Sequence, residues 1–275
     1  MGTDPLVSVC VPAYRAAPFL RRTIQSVLEQ TFKDFEIIVV DDASPDGTLD
    51  SIDDLDDPRI QRYSNPTNLG GGANWNRAVG LARGRLIKVL CSDDLLYPNC
   101  LKQQARLLED PNWRSVGLVS CWRDIIDIEG RRILSRKSGQ KRGFIPRDEA
   151  RKWIVRSGTN PVGEPAAVMF RRELLNKAGP FNGANPFVLD IDMWIRMLLQ
   201  ADIYILPEIQ CAFRVSSQSW SVRLAKKQAK SYLEWVRGLT MTPEFRLKRT
   251  DLRVGIIRSR LLGIGRGLFY LKHAK

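Results

Sequence analysis

Short strand-like runs alternate with segments of helical periodicity along the first part of the chain, and this alternation constrains the fold more than any other feature. The strand-like runs lie at 7–12, 36–40, 60–63 and 86–91. Between the first two, apolar residues recur at helical spacing, as Leu20, Ile24, Val27 and Leu28. Strands that alternate with helices indicate βαβ units. We therefore predict an α/β fold with a single, Rossmann-like, mostly parallel sheet flanked by helices.

Polar residues follow three of these predicted strands. The first strand ends in Pro12-Ala13-Tyr14, the second in Asp41-Asp42 and the fourth in Ser92-Asp93-Asp94. Ligands of open α/β sheets bind beyond the carboxyl ends of the strands. The sequence therefore predicts a ligand site along this edge of the sheet.

Each carboxylate pair has two interpretations. Asp93-Asp94 can hold a hard divalent cation that neutralises two phosphates. It can equally be a helix N-cap followed by a first-turn acid. Asp41-Asp42 precedes Ser-Pro-Asp-Gly, which is typical of a turn. Taken alone, neither pair decides between ligand binding and local structure.

The remaining periodicity predicts further elements with less regularity. A length of 275 residues and a hydrophobic fraction of 44% suffice for one large folded domain. We expect a flexible loop at 70–72, a hairpin over 124–135 and a loop over 136–147. Helices are expected at 48–55, 73–82, 101–108 and from Asp190 onward, and strands at 116–121 and 166–170. The five cysteines are odd in number and show no CxxC spacing, which favours buried, reduced thiols.

The positive charge is concentrated at the C-terminal end. The net charge is +13, and residues 222–275 contribute 14 Lys or Arg against three acidic residues. This segment is predicted to be helical, and its mixture of Arg with Ile and Leu suits either an anionic membrane surface or packing on the main domain. A nucleic-acid-binding protein would carry basic and aromatic residues interleaved on the domain itself. We therefore expect no nucleic-acid partner.

The order and spacing of several segments resemble glycosyltransferase family 2. The resemblance is strongest over residues 5–110 and extends to about 220. Its motifs are the run from Val7 to Tyr14, the helix Thr23 to Phe32, the strand and turn Phe35 to Ser44, the segment Asn68 to Asn76 with Ala82-Arg83-Gly84, and Ser92-Asp93-Asp94.

The resemblance implies the GT-A fold, with a nucleoside-diphosphate sugar lying across the strand ends. Residues 1–221 would form the catalytic domain, with a nucleotide-binding half (1–110) and an acceptor-binding half (111–221), and 222–275 a basic helical extension. By position in the motifs, the nucleoside pocket would comprise Pro12, Ala13 and Tyr14, with Asp42 bonding the base, most often uracil. Asp93 would lie near the ribose and donor sugar, and Asp94 would be the main ligand of Mn²⁺ or Mg²⁺.

A second acidic segment resembles the part of the family that carries the catalytic base. In Leu189-Asp190-Ile191-Asp192 the base position maps to Asp190, and Leu189 replaces the usual Glu. An ordinary helix N-cap is the alternative for Asp190, and Asp192 is the second candidate. Glu164, in a turn-rich segment, could bind an acceptor hydroxyl or form a local salt bridge. Ser216 stands where many relatives have a metal-binding His, so a cation would be held mainly by Asp94 and the diphosphate.

These features predict an inverting glycosyltransferase that uses a nucleoside-diphosphate sugar, with UDP-sugar expected, and a divalent metal. Its acceptor would be a saccharide or lipid-linked saccharide, in surface polysaccharide or glycolipid assembly. The alternatives are a metal-dependent nucleotidyltransferase and a basic nucleic-acid-binding protein. The segment Met1–Leu6 has no basic region followed by an apolar run, and no apolar stretch reaches the roughly 18 residues of a membrane span. We expect a cytoplasmic protein, peripheral at the inner face of the membrane if the extension binds lipid.

Overall fold

The sheet and helices alternate as predicted. The structure, a computed structural model, describes residues 4–138, 141–216, 228–239 and 241–273. The strands of the described part are β1 (Val7–Ala13), β2 (Phe35–Asp41), β3 (Ile60–Ser64), β4 (Leu86–Val89), β5 (Leu95–Leu96), β6 (Val116–Ile126), β7 (Arg132–Arg136), β8 (Gly143–Ile145), β9 (Val168–Arg171) and β10 (Asp202–Arg214). The α-helices are α1 (Leu20–Leu28), α2 (Gly71–Gly80), α3 (Cys100–Glu109), α4 (Arg147–Ser157), α5 (Glu173–Ala178), α6 (Leu189–Met197), α7 (Gln228–Leu239) and α8 (Arg249–His273).

All ten strands belong to one sheet of mixed direction. The order is β3-β2-β1-β4-β9-β6-β10-β5, with β7 paired to β6 and β8 to β10. Strands β1 to β4 are mutually parallel, as predicted. Strand β9 runs antiparallel to both β4 and β6, and β6 pairs with β10 in parallel. The prediction of a mostly parallel sheet therefore holds for strands β1 to β4. The pattern of apolar residues in a strand does not reveal the direction of that strand, so the antiparallel orientation of β9 could not be predicted from it.

The core lies on both faces of the parallel strands. Every residue of β1, β2 and β4 is buried. Both faces are therefore covered, which is why these strands are nearly continuous apolar runs and not alternating patterns. Helix α1 covers the sheet with Leu20, Ile24 and Val27. All five cysteines are free and four of them are buried, in agreement with the sequence.

Three predicted elements differ from the structure. The helix expected at 48–55 is only a 3₁₀ turn, Asp50–Ile52. The loop expected at 70–72 is mostly helical, because only Gly70, with φ of 82°, lies outside α2. A Cβ on Gly72 would lie 2.5 Å from the Gly183 Cα, so this glycine permits close backbone packing and not flexibility. The loop expected at 136–147 contains β8, which pairs with β10.

The two helices of the basic extension pack against the rest of the chain. Helix α7 contacts the 3₁₀ turn Pro186–Val188, and α8 lies on α4. A Cβ on Gly255 would lie 2.0 Å from the Val155 carbonyl oxygen, so a glycine is required where α8 crosses α4. Within the described residues, the helices fall short of the combined length and hydropathy needed to cross a bilayer.

Candidate active site

A cleft of about 1210 Å³ opens at the carboxyl ends of β1 and β2 and just beyond β4. It brings together residues that are far apart in the sequence. The sequence analysis names nine candidate site residues. Seven of them line the cleft: Pro12, Ala13, Tyr14, Asp42, Asp93, Glu164 and Asp190. The other two, Asp94 and Asp192, lie outside its lining. The predicted edge of the sheet is therefore a real concave site.

The loops that follow β1 and β2 are bound to each other. The Arg15 amide donates to the Ser44 hydroxyl at 2.9 Å, and the Ala16 amide donates to the Thr48 hydroxyl at 2.9 Å. Arg15 and Ala43 adopt φ values of 52° and 55°, which non-glycine residues rarely do. These cross-links hold both loops in a fixed shape around the end of the cleft.

Asp42 organises the neighbouring loop. Its Oδ1 accepts hydrogen bonds from the Asn65 side chain at 2.6 Å and the Leu69 amide at 2.8 Å. Its Oδ2 accepts from the Gly70 amide at 2.9 Å. A carboxylate has about four acceptor positions, so roughly one is left for a ligand. Asp42 therefore has a structural task, and it can accept only one further donor from the cleft.

Asp93 and Asp94 have different environments. Asp93 is half-buried and lines the cleft, whereas Asp94 is fully buried and does not line it. The Asp94 Oδ1 accepts the Arg214 amide at 3.0 Å. Burial and the charge of Asp93 raise the pKa of Asp94 well above its ordinary value, and burial raises the pKa of Asp93 to about 6. Two ionised carboxylates are therefore unfavourable at this point unless a positive charge compensates for them.

The residues present fit a divalent cation. The Asp94 Oδ2 is buried and has no hydrogen-bond partner among the described residues, which is costly for a carboxylate unless a cation compensates. The described part of the chain contains no group of three His, Cys, Asp or Glu residues that could hold a metal by themselves. Two carboxylates completed by phosphate oxygens and water are a common arrangement for Mg²⁺. Ser216, at the position of the family's histidine, lines the same cleft.

Asp190 faces the cleft from the first turn of α6. The helix is capped at Val188, so Asp190 is not the N-cap residue. The Asn160 side chain donates to its Oδ2 at 2.8 Å, and the Ile191 amide donates to its Oδ1 at 2.7 Å. Asn160 is itself fixed in a turn by two hydrogen bonds with Gly163. The carboxylate is therefore held in one orientation.

The pKa of Asp190 suits a general base. Burial, followed by the charge of Glu164, raises the pKa of Asp190 to about 7. Burial also raises the pKa of Cys91 well above its ordinary value, and the charges of Asp94, Asp93, Asp190 and Glu164 add to this effect. The four carboxylates are therefore close enough to Cys91, which lines the cleft, to disfavour its ionisation. A group with a pKa near neutrality at such a site is well placed for proton transfer.

Glu164 is bound by a partner that the sequence analysis did not identify. Arg123, buried on β6, donates its Nε–H to Glu164. Burial opposes ionisation of Glu164, but the charge and hydrogen bond of Arg123 prevail and lower its pKa. Glu164 therefore forms a salt bridge, but its partner Arg123 is 41 residues away in the sequence and the bridge is not the local one considered as an alternative. Because Glu164 also lines the cleft, it can contact a bound ligand while it keeps its salt bridge to Arg123.

Asp192 does not line the cleft, so the structure does not bring it together with the other predicted site residues. Its Oδ2 accepts from the Arg196 Nε at 2.9 Å, and its Oδ1 accepts from the Trp235 Nε1 at 3.0 Å. At two positions from Asp190 on a helix, its side chain points to another face. Asp192 instead ties α6 to α7 of the basic extension.

Arg123, Asn160 and Arg214 contribute to the site without having been singled out. Arg214 donates its Nε–H to the Asp93 carbonyl oxygen at 2.8 Å and so fixes the carboxylate pair. For Arg123 the sequence did contain a signal, because a single Arg stands within the mostly apolar run that forms β6. A charge buried in such a strand needs a partner of opposite charge. Helix α7 also reaches the cleft, through Gln228 and Tyr232, and no pattern in the sequence indicated this contact.

Comparisons with known proteins agree with the geometry. The profile of the family described as "Glycosyl transferase family 2" matches residues 8–179. An uncharacterized protein of Mycobacterium tuberculosis is 33% identical over 210 residues, which is 74% of this chain and 65% of that protein, so the chain spans just under two thirds of its relative.

Two solved structures share the fold. Staphylococcus aureus TarS 1–349 in complex with UDP-GlcNAc has a TM-score of 0.69 at 18% identity, over 97% of this chain and 75% of that one. The mannosyltransferase PcManGT of Pyrobaculum calidifontis, in complex with GDP-Man and Mn²⁺, has a TM-score of 0.63 at 20% identity, over 98% of this chain and 82% of that one.

Proposed function

The chain belongs to glycosyltransferase family 2 and has its GT-A fold, and from this premise we propose that it is an inverting transferase using a UDP-sugar and a divalent metal. Family membership favours sugar transfer over the nucleotidyltransferase and nucleic-acid-binding alternatives. Within the chain we propose a nucleotide-binding half (1–110), an acceptor-binding half (111–221) and the extension 222–275.

The nucleoside is proposed to occupy the end of the cleft formed by the loops after β1 and β2. Tyr14 is 46% exposed there and offers an aromatic surface beside Pro12 and Ala13. The remaining acceptor position of Asp42 suits one N–H of a base such as uracil. Because the Asn65, Leu69 and Gly70 donors hold the carboxylate, it is oriented before the ligand arrives.

The diphosphate is proposed to lie over Asp93 and Asp94. When bound there, Mn²⁺ or Mg²⁺ supplies positive charge that stabilises the negative charge developing on the leaving diphosphate. Asp94, with its unpartnered oxygen, is the residue we assign as main ligand. Asp93, which lines the cleft, is placed beside the cation and near the ribose and donor sugar. Arg214 holds the backbone of this pair in place through the Asp93 carbonyl.

Asp190 is proposed to remove the proton from the acceptor hydroxyl. The acceptor oxygen then attacks the anomeric carbon as the bond to the diphosphate breaks, and attack opposite the leaving group inverts the configuration. Asn160 and the Ile191 amide hold the accepting carboxylate in orientation. Glu164, whose pKa stays low beside Arg123, keeps its negative charge and favours the protonated form of Asp190. With a single base and a single displacement at the anomeric carbon, the product is predicted to have the inverted anomeric configuration.

The observation that carries this proposal is the shared cleft, in which Asp190 faces the Asp93 side with a pKa of about 7. We expect hydrolysis or transfer with at least one donor from a panel of UDP- and GDP-sugars in the presence of Mn²⁺ or Mg²⁺. Released nucleotide is measured by chromatography, and the anomeric configuration of the product by NMR. A product that retains the donor configuration would contradict the single-base mechanism.

We also propose that α8 contacts an anionic membrane surface, as suits an acceptor carried on a lipid in surface polysaccharide or glycolipid assembly. Its buried side packs on α4 through Leu252 and Gly255, whereas Ile257, Leu261 and Leu262 are exposed. Exposed Arg253 and Arg260 lie on the same helix and would face anionic headgroups.

Substituting the exposed apolar residues should weaken lipid binding without disturbing the cleft. In flotation with anionic liposomes, the double substitution Ile257→Ser/Leu261→Ser is expected to reduce binding about tenfold, because two apolar side chains leave the interface. The substitution Ile128→Ser/Met241→Ser, which also removes two exposed apolar residues, serves as control. Point substitutions are preferable to removal of 222–275, because Gln228 and Tyr232 line the cleft. Equal flotation of wild type and Ile257→Ser/Leu261→Ser would contradict membrane contact through α8.

A further inference from the structure

A second concavity, of about 870 Å³, adjoins the cleft on its acceptor side. We call it the basic groove. It lies between β7, the residues just before β8 and helix α4, and its cationic lining comprises Arg123, Arg136, Lys137, Lys141, Lys152, Arg156 and Arg258. Its only acidic lining residue among those described is Glu149. The groove therefore carries a large excess of positive charge, unlike the carboxylate-rich cleft beside it.

Much of this charge is not neutralised within the protein. Lys141 pairs with Glu149 at 2.8 Å, and Arg156 pairs with Asp251 at 3.1 Å. In the described part of the chain, Arg136, Lys137, Lys152 and Arg258 form no ion pair with a carboxylate. Cations gathered in a concave surface repel one another, and an anionic ligand would relieve that repulsion.

The basic groove opens onto the residue assigned as the base. Arg123, Arg136, Thr159 and Asn160 line both the groove and the cleft. Asn160 is the residue that donates to the Asp190 carboxylate at 2.8 Å. A ligand lying in the groove therefore ends within reach of Asp190, on the side away from the nucleoside end at Pro12 and Tyr14. That is the position an acceptor must occupy.

The groove also contains an apolar surface. Trp153 on α4 is half-buried, lines the groove and makes no ring stacking contact among the described aromatic residues. An indole face packs well against the C–H face of a sugar ring. Positive charge together with an aromatic platform suits a saccharide that bears anionic groups, and neither feature is needed by the donor, whose diphosphate is placed at Asp93 and Asp94.

On the basis of the proposed transferase function, we infer that the acceptor is an anionic saccharide, carrying phosphate or carboxylate groups, that lies along the basic groove with its reactive hydroxyl at Asp190. The charged groups next to the growing end contact Lys137 and Lys152, and Arg136 spans the passage between groove and cleft. Recognition by charge of this kind increases the rate of association and falls with rising salt.

Binding of labelled oligosaccharides by the 275-residue chain in the presence of UDP and Mn²⁺ tests this inference. The probes are a phosphodiester-linked oligosaccharide, a uronic-acid oligosaccharide and a neutral oligosaccharide of the same length, measured by fluorescence anisotropy at low and high salt. We expect at least one anionic probe to bind about tenfold more tightly than the neutral one, with an affinity that falls as salt rises. Which anionic probe binds identifies the charged group.

Charge reversal in the groove should remove this preference. The double substitution Lys137→Glu/Lys152→Glu is expected to weaken anionic-probe binding about tenfold and leave UDP affinity unchanged. The control, Lys102→Glu/Lys177→Glu, makes the same change of net charge at exposed lysines outside the groove and should bind the probe like wild type. Equal binding of neutral and anionic probes, or equal losses in the two double variants, would overturn the inference.

The same proteins separate this inference from the proposed function. Acceptor-independent hydrolysis of the donor depends on the cleft and not on the groove. If hydrolysis occurs but the neutral probe binds as well as the anionic probes, only the anionic-acceptor inference fails. If no nucleotide sugar is bound or hydrolysed, the transferase proposal fails, and the acceptor inference that rests on it fails with it. A parallel loss of UDP affinity in Lys137→Glu/Lys152→Glu would assign the groove to the donor and overturn the inference.

Discussion

Substitution of Asp190 by Asn is expected to reduce sugar transfer by about 10²–10⁴-fold, the usual contribution of a positioned general base. The amide is nearly isosteric with the carboxylate and can still accept one of the hydrogen bonds from Asn160 and the Ile191 amide. The fold and the donor pocket should therefore persist. Transfer is measured at saturating donor and metal, and UDP affinity, which should not change, is measured by calorimetry.

The pH dependence of the wild-type enzyme follows from the same residue. A base must be deprotonated to act, and the pKa of Asp190 is raised to about 7. The rate should therefore be maximal above this pH and fall about tenfold per unit below it. Glu164→Gln removes a negative charge that contributes to this shift, so the acid limb should move to lower pH, although loss of the Arg123 partner will also lower stability.

Asp192 provides the matched control for Asp190. It lies on the same helix, two residues away, but its carboxylate contacts Arg196 and Trp235 and not the cleft. Asp192→Asn should retain transfer within a few-fold and keep the acid limb near pH 7, with a lower midpoint of thermal unfolding. If Asp190→Asn retained normal transfer, or if Asp192→Asn lost as much, the assignment of the base would be wrong.

The first half of the fold was predictable because its physical signals are local. Strands β1, β2 and β4 are buried on both faces, so they appear in the sequence as apolar runs, and the residues just after them form the edge of the site. Helix α1 shows its buried face through the spacing of Leu20, Ile24 and Val27. The cleft residues that directly follow these strands, namely Pro12 to Tyr14, Asp42 and Asp93, could therefore be found without a structure.

The other side of the site depends on contacts between distant segments. Nothing local indicates that Arg123 pairs with Glu164 or that Trp235 binds Asp192. The glycine at 255 lowers helix propensity, yet it is there because α8 crosses α4 closely at Val155. Helix propensity does not account for this glycine, whereas the close packing of α8 on α4 does. The basic extension likewise looked separable by composition, although Tyr232 lines the cleft.

Substitution of Asp94 by Asn should affect activity and stability in opposite directions. Transfer is expected to fall on the order of 10³-fold, because the charge that holds the cation beside the leaving diphosphate is removed. The Asn oxygen can still accept the Arg214 amide, so the strand ends should keep their positions. The substitution puts a neutral NH₂ group in place of the buried oxygen that has no partner, so no ionisable group remains at this position.

The stability change has a definite sign and pH range. Burial and Asp93 raise the pKa of Asp94 well above 3.8, so the folded state binds a proton more tightly than the unfolded state. Below pH 3.8, the ordinary pKa that applies to the unfolded state, protonated Asp94 makes its full contribution to the free energy of unfolding. This contribution is lost as the pH rises through the pKa of the folded state. Above that pH the ionised carboxylate destabilises the metal-free fold. At neutral pH, metal-free Asp94→Asn should therefore unfold at the same or a higher temperature than wild type.

The two measurements together distinguish a cation site from a structural carboxylate. Adding Mn²⁺ and UDP should raise the unfolding midpoint of the wild type, because a ligand that binds only the folded state stabilises it. The same addition should have little effect on Asp94→Asn. A residue with a purely structural role would lose stability on substitution and keep its response to metal. Under the proposed cation role, the cost of the unpartnered Asp94 oxygen in the metal-free protein is recovered when the cation binds.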